Sequence, residues 1–134
     1  MGLYGANYWL LTRLFGPRAL QVGSYRSPGR IGLPLRLEVL EQHAFTTELR
    51  LSYELVDELT GQPDPSAHVR LFSDARLAEV TACYFGSRLE DTLGRSAPAA
   101  AVFQHRLRMN AFLSKWLDYL EQSGHSRFGL QADA

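Results

Sequence analysis

Residues 33–55 read LPLRLEVLEQHAFTTELRLSYEL, and for most of that length the apolar side chains fall at every second position. In the first half Leu33, Leu35, Leu37 and Val39 share one side while Arg36 and Glu38 take the other. In the second half Phe45, Thr47, Leu49, Leu51, Tyr53 and Leu55 oppose Thr46, Glu48, Arg50, Ser52 and Glu54. A period of two, with one apolar and one polar side, is the pattern of antiparallel strands that bury a single face. Charge then argues the register. A three-residue loop at 42–44 would set Arg36 against Arg50 and Glu38 against Glu48, two like-charged pairs that oppose pairing unless diagonal contacts relieve them. A five-residue loop sets Glu38 against Arg50 and keeps the apolar partners together, so the longer loop is expected.

Working outward, a break at Gly61-Gln62-Pro63-Asp64-Pro65 is followed by two further strand-like runs, 68–72 and 76–85, around Ser73-Asp74-Ala75. A tight turn centred on Asp74 and Ala75 places Val69 opposite Val80, Leu71 opposite Ala78 and Arg70 opposite Glu79. Upstream, Tyr4, Tyr8, Leu11 and Phe15 recur at helical spacing until Gly16-Pro17 stops the run. Downstream, Met109, Phe112, Leu113, Trp116, Leu117 and Leu120 form a wide stripe over about 103–122, ended by Ser123-Gly124. The expected fold class is therefore α+β: an N-terminal helix, an antiparallel sheet of about four strands in two hairpins, and a C-terminal helix packed on the sheet. The turn-rich residues 16–32 read as a long basic loop, 86–101 as a connection and 125–134 as a frayed tail. A chain of 134 residues builds one core, so 1–134 is expected to be a single domain.

Apolar residues make up 46% and charged residues 21%, which is ordinary globular usage. Apolar runs such as Tyr8-Trp9-Leu10-Leu11 are far shorter than the roughly 20 residues of a spanning helix. No membrane segment and no secretory signal is legible. The lone Cys83 forms no internal disulfide, which fits a reducing compartment and makes the cytoplasm the default. Charge is uneven along the chain: +5 over residues 1–37, −7 over 38–91 and +2 over the rest, for zero overall. Arg13, Arg18, Arg26, Arg30 and Arg36 would suit RNA or ribosome association. Their scattered spacing and the zero net charge favour an arm lying across the acidic middle of its own fold.

Recognisable chemistry is sparse. His43, His68, His105 and His125 form no metal-ligand spacing, and Gly29-Arg30-Ile31-Gly32 is no phosphate loop, so no cofactor is expected. Ser73 and Asp74 lack the strained elbow of a nucleophile, and Cys83 reads as a packing residue. The densest polar group is the hairpin carrying Arg70, Asp74, Arg76 and Glu79. There Asp74 is either a base or anion-site organiser beside Arg70, or a turn former beside an Arg70–Glu79 cross-strand pair. Asn110 is anomalous inside a helix, where asparagine is a poor former, and its amide is free to contact the sheet or a loop. Arg70, Asp74, Glu79 and Asn110 are thus the candidate binding residues, with no catalytic residue assigned.

Several short patterns resemble the YqiB-like bacterial proteins, a domain of unknown function numbered 1249. They are Asn7-Tyr8 with Leu11 and Leu14; Glu41 followed by Thr46-Thr47; Val69-Arg70-Leu71-Phe72 followed by Asp74-Ala75-Arg76-Leu77-Ala78-Glu79-Val80; and Asn110-Ala111-Phe112-Leu113 with Trp116-Leu117. The chain departs from that family at Ser73, where a histidine is usual, and at Gln104-His105-Arg106, where an Asp-Glu-Lys run is usual. The resemblance implies no assigned activity. The function expected from the sequence is a non-enzymatic cytoplasmic binding or adaptor domain with a protein partner, presenting a sheet edge or the charged hairpin. A small enzyme or sensor holding an anionic metabolite at Arg70, Asp74 and Glu79 is the alternative.

Overall fold

A computed structural model of the chain describes residues 2–54, 58–59, 61, 65–84 and 99–132. In chain order the elements are α1 (Leu3–Phe15), β1 (Gly23–Ser27), β2 (Leu35–Gln42), β3 (Thr46–Tyr53), β4 (Ser66–Phe72), β5 (Leu77–Tyr84), α2 (Ala99–Gln122) and β6 (Gln131–Ala132). Short 3-10 turns cover Pro17–Ala19 and Arg127–Gly129. The strands form one antiparallel sheet in the order β5-β4-β3-β2-β1-β6. Both helices lie on the same side of it, so the α+β reading stands.

The alternation in residues 33–55 explains that side. Leu35, Leu37, Leu49 and Leu51 are fully buried, together with Val69, Leu71 and Val80 from the second hairpin. Leu11, Phe15, Leu113, Leu117 and Leu120 close over them from the helices. Each such side chain contributes about 1.5–3 kcal/mol when removed from water. The α1 stripe ends where Gly16 takes a left-handed conformation, φ 56°, and its N–H donates to the carbonyls of Leu11 and Thr12. Glycine adopts that backbone without the penalty a Cβ brings. Among the described residues no helix is long and apolar enough to cross a membrane.

The expected registers occur, with one refinement. Glu38 faces Arg50, but a bulge at Leu40 shifts the pairing so that Gln42 faces Thr47. The first hairpin therefore closes through four residues, His43 to Thr46, rather than five. In the second hairpin Val69 faces Val80, Arg70 faces Glu79 and Leu71 faces Ala78, as the charges required.

Two corrections concern the outer strands. The sheet has six strands rather than about four, because residues 16–32 contain β1 and the expected frayed tail contains β6. Neither has an apolar alternation of its own. β1 is recruited by the free edge of β2, with Tyr25 facing Leu37 and Ser27 facing Leu35, and β6 then pairs with Tyr25 and Arg26. Strand formation at an edge depends on neighbours more than on intrinsic propensity. The last helix also starts at Ala99, inside the stretch expected to be a connection; residues 86–98 of that stretch, and Phe85 at the end of the expected strand run, lie outside the described residues. So do Leu55 and residues 62–64 of the expected break.

Candidate binding face of the sheet

With both helices on one side, the alternate residues of the strands face away from them. One row across the sheet runs Ser24, Glu38, Arg50, His68, and the next runs Arg26, Arg36, Ser52, Ser66. A third places Glu48 against Arg70 and Arg70 against Glu79. Direct facing of Arg26 and Arg36 is unfavourable for like charges. Glu54, just past the end of β3, relieves it by taking Arg26 Nε at 2.8 Å and Arg36 Nη2 at 3.6 Å. Arg36 also donates to Ser24 Oγ at 2.7 Å. Arg50 pairs with Glu38, and Arg70 pairs with Glu48 at 2.6 Å.

Around these pairs lies an open cavity of about 660 Å³, lined by Ser24, Arg36, Glu38, Arg50, Ser52, Tyr53 and Glu54 from β1, β2 and β3. Burial, reinforced by the Arg50 charge, pushes the His68 imidazole below its ordinary pKa, against the opposing pull of Glu38 and Glu48. The face thus offers alternating fixed charges beside an imidazole whose protonation is disfavoured. Among the described residues no cluster of three His, Cys, Asp or Glu side chains is placed to hold a metal ion.

Residues 10–126 match the family model described as a protein of unknown function, DUF1249. The chain belongs to the DUF1249 family. No curated protein and no solved structure matches it. The DUF1249 match spans every residue lining the cavity and stops at Ser126, just before the turn that leads into β6.

The sequence-derived candidates divide between the two sides of this DUF1249 sheet. Arg70 and Glu79 lie on the open face, but Arg70 forms its ion pair with Glu48 on β3. Asp74 is exposed at the turn, where its Oδ1 accepts the Ala75 N–H at 2.9 Å. Asn110 is fully buried on the helix side. Its Oδ1 accepts the Val80 N–H at 2.9 Å, its Nδ2 donates to the Arg106 carbonyl at 2.8 Å, and its own carbonyl accepts from Asn7 Nδ2 at 2.9 Å. It thereby ties both helices to β5. The lone Cys83 is buried in the core cluster.

Sequence reasoning passed over two polar features of the chain. Arg18 reaches the β2–β3 turn and donates to the carbonyls of His43 and Ala44, both at 2.8 Å. His125, in the stretch expected to fray, is 3% exposed, and its Nδ1 lies 2.7 Å from Ser27 Oγ, itself 1% exposed. Burial lowers the His125 pKa, opposed by a hydrogen bond to the Leu33 backbone. A serine beside a histidine carries nucleophilic chemistry only where substrate reaches it. This pair is closed to solvent and acts as a latch. Its neighbours fit that role: the N–H groups of Arg30 and Ile31 both donate to the Ser123 carbonyl, and a Cβ on Gly29 would lie 2.7 Å from His125 Nε2. No local pattern marks either feature, since each joins segments far apart in sequence.

Proposed function

We propose that this chain is a non-enzymatic binding or adaptor module, and that the open face of its sheet takes a partner protein segment carrying both acidic and basic side chains. The observation that carries the reading is the set of Arg–Glu pairs gathered around the cavity on the sheet face that none of the described helices covers. Partly exposed pairs of this kind contribute only about 0–1 kcal/mol each to a fold, so they weigh little in stability and much in register and partner choice. An incoming segment exchanges its own charges for the intrachain partners of Arg36, Arg50 and Glu38. Arg70 and Glu79 extend the same face, whereas Asn110 belongs to the helix packing. A cytoplasmic location accompanies this reading and rests on the chain's having a single cysteine. Four of the five arginines that an RNA reading would use are engaged within the chain: Arg13 with Glu121, Arg18 with the turn carbonyls, and Arg26 and Arg36 with Glu54.

The test is capture of partners by the wild-type chain and by the double swap Glu38→Arg with Arg50→Glu. The swap keeps an ion pair in place, so the melting temperature should hold while the partner is lost. Equal capture by both chains, or turnover of a small substrate with no reproducible partner, overturns the reading.

A further inference from the structure

On the helix side, beside β6, a second cavity of about 440 Å³ has a different chemistry. Phe15, Leu20, Tyr25 and Leu130 form its walls, and Arg127 is the one charged residue among the described residues that line it. We propose that it is a ligand site for a small apolar carboxylate, an aryl or medium-chain acyl acid whose body lies between those walls and whose carboxylate meets the Arg127 guanidinium.

The volume falls in the range of small-molecule pockets, roughly 300–1,000 Å³, which are mostly apolar with a few placed polar groups. Two of the walls are held in place. Tyr25 Oη donates to the Gln21 carbonyl at 2.8 Å, which holds the ring, and Phe15 is buried at the end of α1. Arg127 differs from the arginines of the sheet face: Arg26, Arg36, Arg50 and Arg70 each meet a glutamate, but among the described residues Arg127 has no carboxylate partner. It lies over the Phe128 ring, 5.2 Å from the centroid. A Cβ on Gly16 would sit 3.8 Å from Arg127 Nη1, so the guanidinium rests beside the bare C-terminal end of α1. That negative helix end holds a cation in place, but this role calls for no apolar cavity next to it. Phe128, 88% exposed, adds apolar surface to the same lining. A planar fork at the edge of apolar walls is the arrangement that binds a carboxylate on an apolar body.

This site is separate from the proposed protein-binding face. Tyr25 and Arg26 are neighbours on β1 and point to opposite sides of the sheet, and Arg127 lies beyond the residues matched to DUF1249.

The test is an NMR titration of the full chain with octanoate and, separately, with octan-1-ol. Octanoate should give saturating shifts at the amides of Leu20, Tyr25 and Leu130, with octanol about tenfold weaker. Arg127→Gln should weaken octanoate about tenfold and leave octanol unchanged, while Ala19→Trp, at an exposed position in the lining, should block both. The Glu38→Arg, Arg50→Glu chain should bind octanoate like the wild type, so failure of one proposal is distinguishable from failure of the other. Shifts that do not saturate, shifts mapping elsewhere, or octanoate affinity unchanged by Arg127→Gln overturn the assignment.

Discussion

β3 and β1 belong to one sheet but are held there by different forces. β3 buries Leu49 and Leu51 completely beneath the helices and has a full-length neighbour on each side. β1 sends only Tyr25 and Ser27 inward, and β6 covers two of its residues. Its security comes from polar closures: the Ser27–His125 contact and the two N–H groups of Arg30 and Ile31 on the Ser123 carbonyl. Apolar burial acts over a whole surface, whereas a latch acts at one point and is lost all at once. Local opening should therefore begin at β1 and β6 and reach β3 last.

The most damaging change should be at the centre. Leu51→Ala leaves a cavity in the core and should cost about 2–5 kcal/mol, measured as a lower urea midpoint with an unchanged slope. A loss below about 1 kcal/mol would mean that the core closes around the gap and the contrast is overstated. Asn110→Ala strands the Val80 N–H and should cost about 1–3 kcal/mol. Its specific sign is faster hydrogen exchange at Val80, and unchanged exchange there would show that another acceptor takes over.

His125→Asn tests the latch itself. It should cost about 1–2 kcal/mol and speed exchange in β1 and β6 while the amides of Leu49 and Leu51 stay protected; uniform acceleration would make the outer strands part of the same unit as the core. The variant also has a pH signature. Burial holds the His125 pKa below its ordinary 6.5, so around that pH the folded chain binds fewer protons than the unfolded one. The stability involved is fully present above about 6.5 and is lost as pH falls below it. His125→Asn should flatten that decline, although His68, shifted in the same direction, keeps part of it. The smallest effect is expected on the open face: Arg70→Ala should change stability by no more than about 0.5 kcal/mol. A larger loss would give the charged face a structural duty that the binding reading does not include.

The same contrast explains what was legible in the sequence. Leu33 to Leu55 announced two strands because alternation is a local signal, and Glu38 with Arg50 fixed their pairing because opposite charges tolerate few registers. Gly23-Ser24-Tyr25-Arg26-Ser27 announced nothing: with one large apolar side chain in five it becomes a strand only when β2 offers an edge. The Leu40 bulge was hidden for a similar reason, since one extra residue leaves the composition unchanged. For the candidate site, the Arg70–Glu79 register could be read within its hairpin. The Glu48 partner of Arg70 could not, because it depends on β3 lying beside β4 across an intervening segment. The 660 Å³ cavity was illegible for want of β1, which brings Ser24 to its wall.

Ser27 and His125 stand 98 residues apart. At a synthesis rate of about 5–20 residues per second, roughly 5 to 20 s separate their emergence from the ribosome. β1 is therefore made early and locked late. During that interval β2 through β5 emerge and can pair while β1 still lacks the histidine that secures it, so the order of synthesis and the order of closure run in opposite directions.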